Sequence, residues 1–97
     1  METYVILRRH GFRDGDDLRA AAERSTIEGE EMSDGVRWIR SYVLAEEDGT
    51  LGTVCIYQAT SPEAVLEHAR RADLPADEVI PSSDTVIVRP DPEPVPA

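Results

Sequence analysis

The stretch that decides the fold is "VRWIRSYVLAEEDGTLGTVCIYQAT", residues 36–60, which contains two runs of strand-forming residues around one turn. Both runs are rich in β-branched and aromatic residues, which favour strands. The Asp48-Gly49 pair between the runs is typical of a hairpin turn. The segment therefore predicts two adjacent antiparallel strands.

A helix is predicted directly after this hairpin. Ser61 suits the N-cap, Pro62 suits the first helical position, and the Glu63 carboxylate complements the positive end of the helix dipole. The apolar residues recur at helical spacing and form one face, made of Val65, Leu66, Ala69 and Ala72. The sequence "DLP" at 73–75 ends this helix.

The flanking segments complete the order of elements. "ETYVILRR" (2–9) predicts a first strand, and Asp14 or Asp16 can cap a helix through "LRAAAERS" (18–25). The acidic segment 26–35 is interpreted as a loop, and "DEVIPSSDTVIVRP" (77–90) as the last strand, irregular at Pro81. The order βαββαβ predicts an α+β, ferredoxin-like fold: a four-stranded antiparallel sheet with two helices on one face. We expect a domain over residues 1–89 and a disordered, proline-rich tail over 90–97.

Composition excludes several classes of function. A chain of 97 residues makes one domain with one modest core. The net charge of −10 argues against nucleic-acid and anionic-membrane partners but is compatible with cations. No apolar run approaches the roughly 18 residues of a membrane span, and nothing resembles a signal peptide, so we expect a cytoplasmic protein. The single cysteine rules out an internal disulfide.

The hairpin predicts which side chains share a face of the sheet. Side chains alternate along a strand, and a turn centred on Asp48-Gly49 pairs even positions of the first strand with odd positions of the second. One face then carries Trp38, Arg40, Tyr42, Thr53, Cys55 and Tyr57. The opposite, largely aliphatic face carries Ile39, Ser41, Val43, Val54, Ile56 and Gln58. The first face is suited to line a cavity or a dimer interface, and Cys55 is predicted to neighbour Tyr42.

Cys55 and His68 are the side chains with the most chemistry to offer. A thiolate and an imidazole are good ligands for nickel or zinc. Each also has a structural interpretation, Cys55 as a small buried hydrophobe and His68 as a histidine at the edge of the helix's apolar face. No HxxxH or CxxC motif is present, so a metal site would need distant segments and carboxylates such as Glu63 and Glu67.

Three sequence blocks resemble those of a small bacterial family long catalogued as a domain of unknown function. They are W-x-x-S-Y-V from Trp38, C-x-Y-x-A from Cys55, and S-P-E-A from Ser61, and the resemblance runs from about Tyr4 to Val88. The family includes a nickel-binding, cytosolic actinobacterial protein with a dimeric ferredoxin-like fold.

The resemblance implies a homodimer of the αβ-barrel type that binds a metal cation, Ni²⁺, without catalysis, for storage, buffering or sensing. Carried onto matching positions, it implies the ligands His68, Cys55, Tyr42 and Tyr57, with Glu63 and Glu67 as further donors. Cys55 and His68 must then face the same cavity, and the aliphatic face must meet the partner subunit. The alternative is a small-molecule binder or enzyme, similar to dimeric αβ-barrel monooxygenases and isomerases, that uses the cavity between sheet and helices.

Overall fold

A computed structural model describes residues 1–93 of the chain. Its elements are β1 Glu2–Phe12, α1 Gly15–Glu31, β2 Val36–Ala45, β3 Leu51–Ala59, α2 Pro62–Arg71 and β4 Glu78–Pro81. The four strands form one antiparallel sheet in the order β2-β3-β1-β4, and both helices pack on one face. The predicted ferredoxin-like α+β fold is confirmed.

Both helices begin where the capping residues predict. The Asp14 carboxylate accepts a hydrogen bond from the Asp17 backbone N–H at 2.9 Å, and the Ser61 hydroxyl accepts one from Ala64 N–H at 3.1 Å. Each bond satisfies a backbone donor that the first helical turn leaves free. Pro62 occupies the first turn of α2, where its missing N–H costs nothing.

The loop predicted over residues 26–35 is wrong over its first half, because α1 continues to Glu31. The acidic side chains of this extra segment lie largely towards solvent, where water and salt screen their unfavourable interaction with the negative end of the helix dipole. Gly29 lies within the helix and faces α2: a Cβ built on it would lie 3.7 Å from Nε2 of His68. The added turn therefore places α1 against α2.

The predicted faces of β2 are also wrong beyond its first residues. The β2–β3 loop has five residues, Glu46 to Thr50, because Ala45 pairs with Leu51. This shifts the pairing by one residue from that of a two-residue turn, so Ser41 rather than Tyr42 shares a face with Cys55. The pairing shifts again at an irregularity between Trp38 and Arg40. Trp38 therefore pairs with Tyr57 and lies on the same face as Cys55, as predicted, whereas Arg40 and Tyr42 do not.

The face that bears Cys55 points towards the helices. Its buried cluster consists of Tyr4, Ile6, Val36, Cys55, Tyr57, Ala59 and Val65. The opposite face, here called the outer face, is formed around Val5, Leu7, Val54 and Ile56, and residues 1–93 place no helix on it. Tyr42 lies on the outer face and is 46% exposed.

The last strand is shorter than predicted, since β4 ends at Pro81 and no strand follows it in the described residues. Proline lacks the N–H that would continue a ladder of hydrogen bonds. Val86, Ile87 and Val88 are consequently 75–85% exposed. Within the predicted tail, Asp91 accepts hydrogen bonds from Tyr42 and Arg40, and residues 94–97 lie outside the described part. The division at residue 89 stays a prediction.

Neither helix in residues 1–93 has the length and the apolar character required to cross a membrane.

Candidate functional site

Three of the six predicted donors, His68, Cys55 and Tyr57, lie on the helix side of the sheet. Each is buried, with 4% of Cys55 and 1% of both Tyr57 and His68 exposed. Tyr57 is the residue between the other two: it lies two positions from Cys55 on β3, and its ring centroid is 5.4 Å from that of His68. The helix-facing orientation of Cys55 thus brings the thiol and the imidazole to the same layer.

The His68 imidazole has one nitrogen bonded and one nitrogen free. Nε2 lies 3.0 Å from the backbone carbonyl oxygen of Ser25. A carbonyl only accepts, so the neutral ring carries its proton on Nε2 and a lone pair on Nδ1. Nδ1 is buried and has no hydrogen-bond partner in the described chain. Histidines that bind metals usually hold their second ring N–H on a carbonyl or carboxylate in this way.

The protein environment keeps this imidazole neutral. Burial lowers the pKa of His68 below its usual value of 6.5, and the positive charge of Arg8 acts in the same direction. The bond to the Ser25 carbonyl and the charge of Glu28 oppose the shift without reversing it. A neutral ring with an unshared lone pair is the form that binds a metal.

Cys55 has a neighbour that disfavours a metal cation. Nη1 of Arg8 donates a hydrogen bond to Sγ of Cys55 across 3.0 Å, and Sγ donates to the Thr53 hydroxyl at 3.3 Å. Arg8 is 1% exposed, so solvent screens its positive charge little. A divalent cation at Sγ would meet that charge at close range, and the geometry therefore disfavours Cys55 as a nickel ligand.

Tyr57 is held as a neutral phenol. Burial raises the pKa of Tyr57 above 10.0, and its hydroxyl shares a 3.1 Å hydrogen bond with Oγ of Ser25. Its ring stacks on Trp38 with 6.3 Å between centroids and 9° between planes. The Tyr57 ring thus lies between His68 and Cys55, and its hydroxyl oxygen is already hydrogen-bonded to Ser25.

The other three predicted donors do not join this group. The Tyr42 hydroxyl donates to the Asp91 carboxylate from the outer face. Glu63 is exposed in the first turn of α2. Glu67 forms ion pairs with Arg70 and Arg71 on the surface of α2, and these bonds lower its pKa to about 2. Within one chain, the structure brings together three of the six residues.

Residues 1–93 contain no group of three or more histidine, cysteine or acidic side chains placed to hold a metal ion. The second histidine, His10, is exposed at the β2–β3 loop, where Nδ1 lies 3.0 Å from the Thr50 hydroxyl and Nε2 lies 3.3 Å from the Glu46 carboxylate. Both of its nitrogens are therefore engaged. The described residues offer His68 Nδ1 as an unpartnered donor, without a complete ligand set around it.

Arg8 is the interior residue that sequence reasoning missed. Arg8 continues the series of every second residue on β1 that begins with the buried Tyr4 and Ile6. Because side chains two positions apart in a strand share a face, this spacing would have indicated that Arg8 points inward. It lines a cavity of about 260 Å³ between the sheet and α1, together with Cys55, Trp38 and Leu18. His68 does not line this cavity, so the cavity does not bring Cys55 and His68 together as predicted.

Comparison with known proteins identifies related sequences and folds. The family model described as "Nickel responsive protein SCO4226-like" matches residues 4–81. The crystal structure of SCO4226 from Streptomyces coelicolor A3(2) matches with a TM-score of 0.67 and 21% sequence identity, over 87% of this chain and 99% of that chain. At that identity the structural likeness shows the fold alone. No curated protein matches the chain.

Proposed function

The chain belongs to the SCO4226-like family of nickel-responsive proteins, and on that premise we propose that it is a non-catalytic nickel-binding protein of the cytoplasm. Its role would be storage, buffering or sensing of the metal. The observation that supports a metal ligand in this chain most directly is the unpartnered Nδ1 of His68, whose Nε2–H is held by the Ser25 carbonyl.

His68 fits the chemistry of Ni²⁺. Imidazole nitrogen is a preferred donor for this ion, and the lowered pKa of His68 keeps the lone pair available at neutral pH. The remaining residues of the predicted set fit less well. Cys55 faces the Arg8 guanidinium, Tyr57 is a buried phenol, and the carboxylates of α2 lie at the surface. We therefore assign one ligand from this chain, His68, and leave the other coordination positions to water.

Burial of His68 has a consequence for the kind of role. His68 is 1% exposed and lies against α1 at Ser25 and Gly29. A hydrated nickel ion reaches Nδ1 only when the helix layer opens locally. Metal binding that requires such an opening is coupled to a change in conformation, and this coupling favours sensing over passive storage.

We also propose that the functional unit is a homodimer joined through the outer face. Val5, Leu7, Val54 and Ile56 form a half-buried apolar centre there. A second copy of the same face would cover this apolar surface with a twofold, self-complementary interface. The helix layer and His68 would then lie away from the interface.

Isothermal titration of Ni²⁺ into untagged, metal-free protein tests the proposed function. We expect saturable binding by the wild type and by His10→Ala, and a loss of at least about tenfold in affinity for His68→Ala, since one imidazole ligand is removed. Equal affinity in His68→Ala and the wild type would remove His68 from the site. No binding by the wild type would overturn nickel binding altogether.

A further inference from the structure

The buried guanidinium of Arg8 lacks a counter-charge. Nε donates to the Pro75 carbonyl and Nη1 to Sγ of Cys55, while Nη2 is buried without a partner. The guanidinium carbon lies 6.0 Å from the centroid of the Tyr57 ring. No carboxylate within residues 1–93 forms an ion pair with Arg8, although the chain carries a net charge of −10.

An isolated buried charge is costly, and a guanidinium does not escape the cost by losing its proton. Buried charges in proteins are accordingly paired. Nothing in the described chain supplies the pair, so the position is suited to an anion from outside. The cavity beside Arg8 provides the space for that anion.

Two hydroxyl groups of the cavity, those of Ser41 and Thr53, can also donate hydrogen bonds. The Ser41 hydroxyl oxygen accepts a hydrogen bond from the Trp38 indole N–H at 2.8 Å, and the Thr53 hydroxyl oxygen accepts one from Cys55. Each hydroxyl therefore keeps its own proton free for a further acceptor. Ser41 and Thr53 both line the cavity with Arg8. One positive charge and two hydroxyl donors match the oxygens of a single monoanion.

The size and lining of the cavity specify the rest of the ligand. Its volume of about 260 Å³ corresponds to roughly nine water molecules at about 30 Å³ each, which suits a body of one ring. Apart from Ser25, whose hydroxyl is bonded to that of Tyr57, the remaining lining is apolar and aromatic, with Phe12, Leu18, Ala21, Ala22, Val43 and Leu74 around the Trp38–Tyr57 stack. Trp38 and Val43 are 39% and 52% exposed, so they form a rim open to solvent.

We propose that this cavity binds a small monocarboxylic acid with an apolar, ring-sized body, and that Arg8 receives its carboxylate. The ligand's body lies against Trp38 and Tyr57, and the rim at Val43 is its entrance. This site is separate from the nickel ligand His68, which does not line the cavity. It corresponds to the alternative function given in the sequence analysis, a small-molecule binder that uses the cavity between sheet and helices.

Titration with benzoate and its neutral isostere benzamide tests the proposal on metal-free protein. The indole N–H of Trp38, the single tryptophan of the chain, supplies an NMR signal at the rim. We expect benzoate to bind saturably with an affinity of about millimolar, the strength of a fragment-sized acid. Benzamide should bind about tenfold more weakly or worse, because it lacks the charge-assisted hydrogen bond to Arg8.

Three variants separate the carboxylate site from a structural role of Arg8. Arg8→Met should weaken benzoate binding about tenfold or more, while Arg40→Met, which removes the same charge from the outer face, should leave it unchanged. Val43→Phe narrows the rim and should weaken benzoate binding while Arg8 is intact. This variant tests whether benzoate occupies the cavity even if Arg8→Met does not fold. Equal binding of benzamide and benzoate, or no saturable shift with benzoate, would overturn the proposal.

Discussion

The guanidinium of Arg8 donates a hydrogen bond to the sulfur of Cys55 across 3.0 Å in the buried layer between sheet and helices. This contact distinguishes two proposed sites, one for a metal cation and one for an organic anion, which the sequence alone would place together around Cys55. A positive charge on the only thiol disfavours a metal cation at Cys55, and the free Nη2 of Arg8 favours an anion. His68, on the other side of Tyr57, has an unshared lone pair on Nδ1, and this is the atom to which we assign the proposed nickel ion.

Removal of the thiol should leave nickel binding intact. We expect Cys55→Ala to bind Ni²⁺ with wild-type affinity, within about twofold, because Arg8 already repels a cation from Sγ. Isothermal titration against the wild type measures this. An affinity loss in Cys55→Ala comparable to that of His68→Ala would show that the thiol is a ligand after Arg8 rearranges.

Acid should destabilise the fold through His68. The pKa of His68 is lowered in the folded protein, so the unfolded chain binds the proton more readily, and stability falls as the pH drops below 6.5. His68→Gln has no titrating ring, and its free energy of unfolding should change less over this range. Urea denaturation at a series of pH values supplies the comparison.

The surface carboxylates Asp48 and Glu67 do not contribute to the loss of stability expected from His68 just below pH 6.5. The pKa values of Asp48 and Glu67 are lowered to about 2 by hydrogen bonds to Thr50 and to Arg70. Their stabilisation is present above the unfolded values of about 4 and is lost only at lower pH. His10→Gln is the matched control for the second histidine. If His68→Gln and the wild type lost stability in parallel below pH 6.5, the buried imidazole would not be the titrating group.

The outer face should control the oligomeric state. Ile56 lies at the centre of this face, paired with Val5 on β1, and Ile56→Arg would place a charge in each half of an apolar interface. We expect the dimer dissociation constant to rise about a hundredfold or more. Ile27→Arg, on α1 at a site 57% exposed, is the matched control. Sedimentation velocity that shows a monomeric wild type, or equal dimers for both variants, would contradict the interface.

Local signals in the sequence predict most of the architecture. Ser61, Pro62 and Asp14 act within one turn of their own positions, and their roles need no distant partner. The hydrophobic runs around the hairpin likewise identify β2 and β3. These features set the order of elements, and that order together with short antiparallel connections leaves the ferredoxin-like topology.

The facing of side chains was less predictable because it depends on single residues. The five-residue loop places Tyr42 on the outer face, and the irregularity between Trp38 and Arg40 returns Trp38 to the helix side. Neither feature has a clear signal in the sequence. The acidic residues and Gly29 within 26–31 favour a loop on local grounds, whereas in the structure Gly29 continues α1 and lies next to His68 of α2, a tertiary neighbour. Arg8 was predictable from alternation on β1 alone, although its contact with Cys55 required the register of β1 on β3.

The central claim is that the lone pair on Nδ1 of His68 receives nickel. The direct measurement is the NMR spectrum of the two histidine rings, labelled with ¹⁵N, during addition of substoichiometric Ni²⁺ to untagged protein. Paramagnetic Ni²⁺ broadens signals close to it, so we predict loss of the His68 ring signals while those of His10 persist. Selective broadening of His10, with His68 unchanged at saturating nickel, would contradict the account.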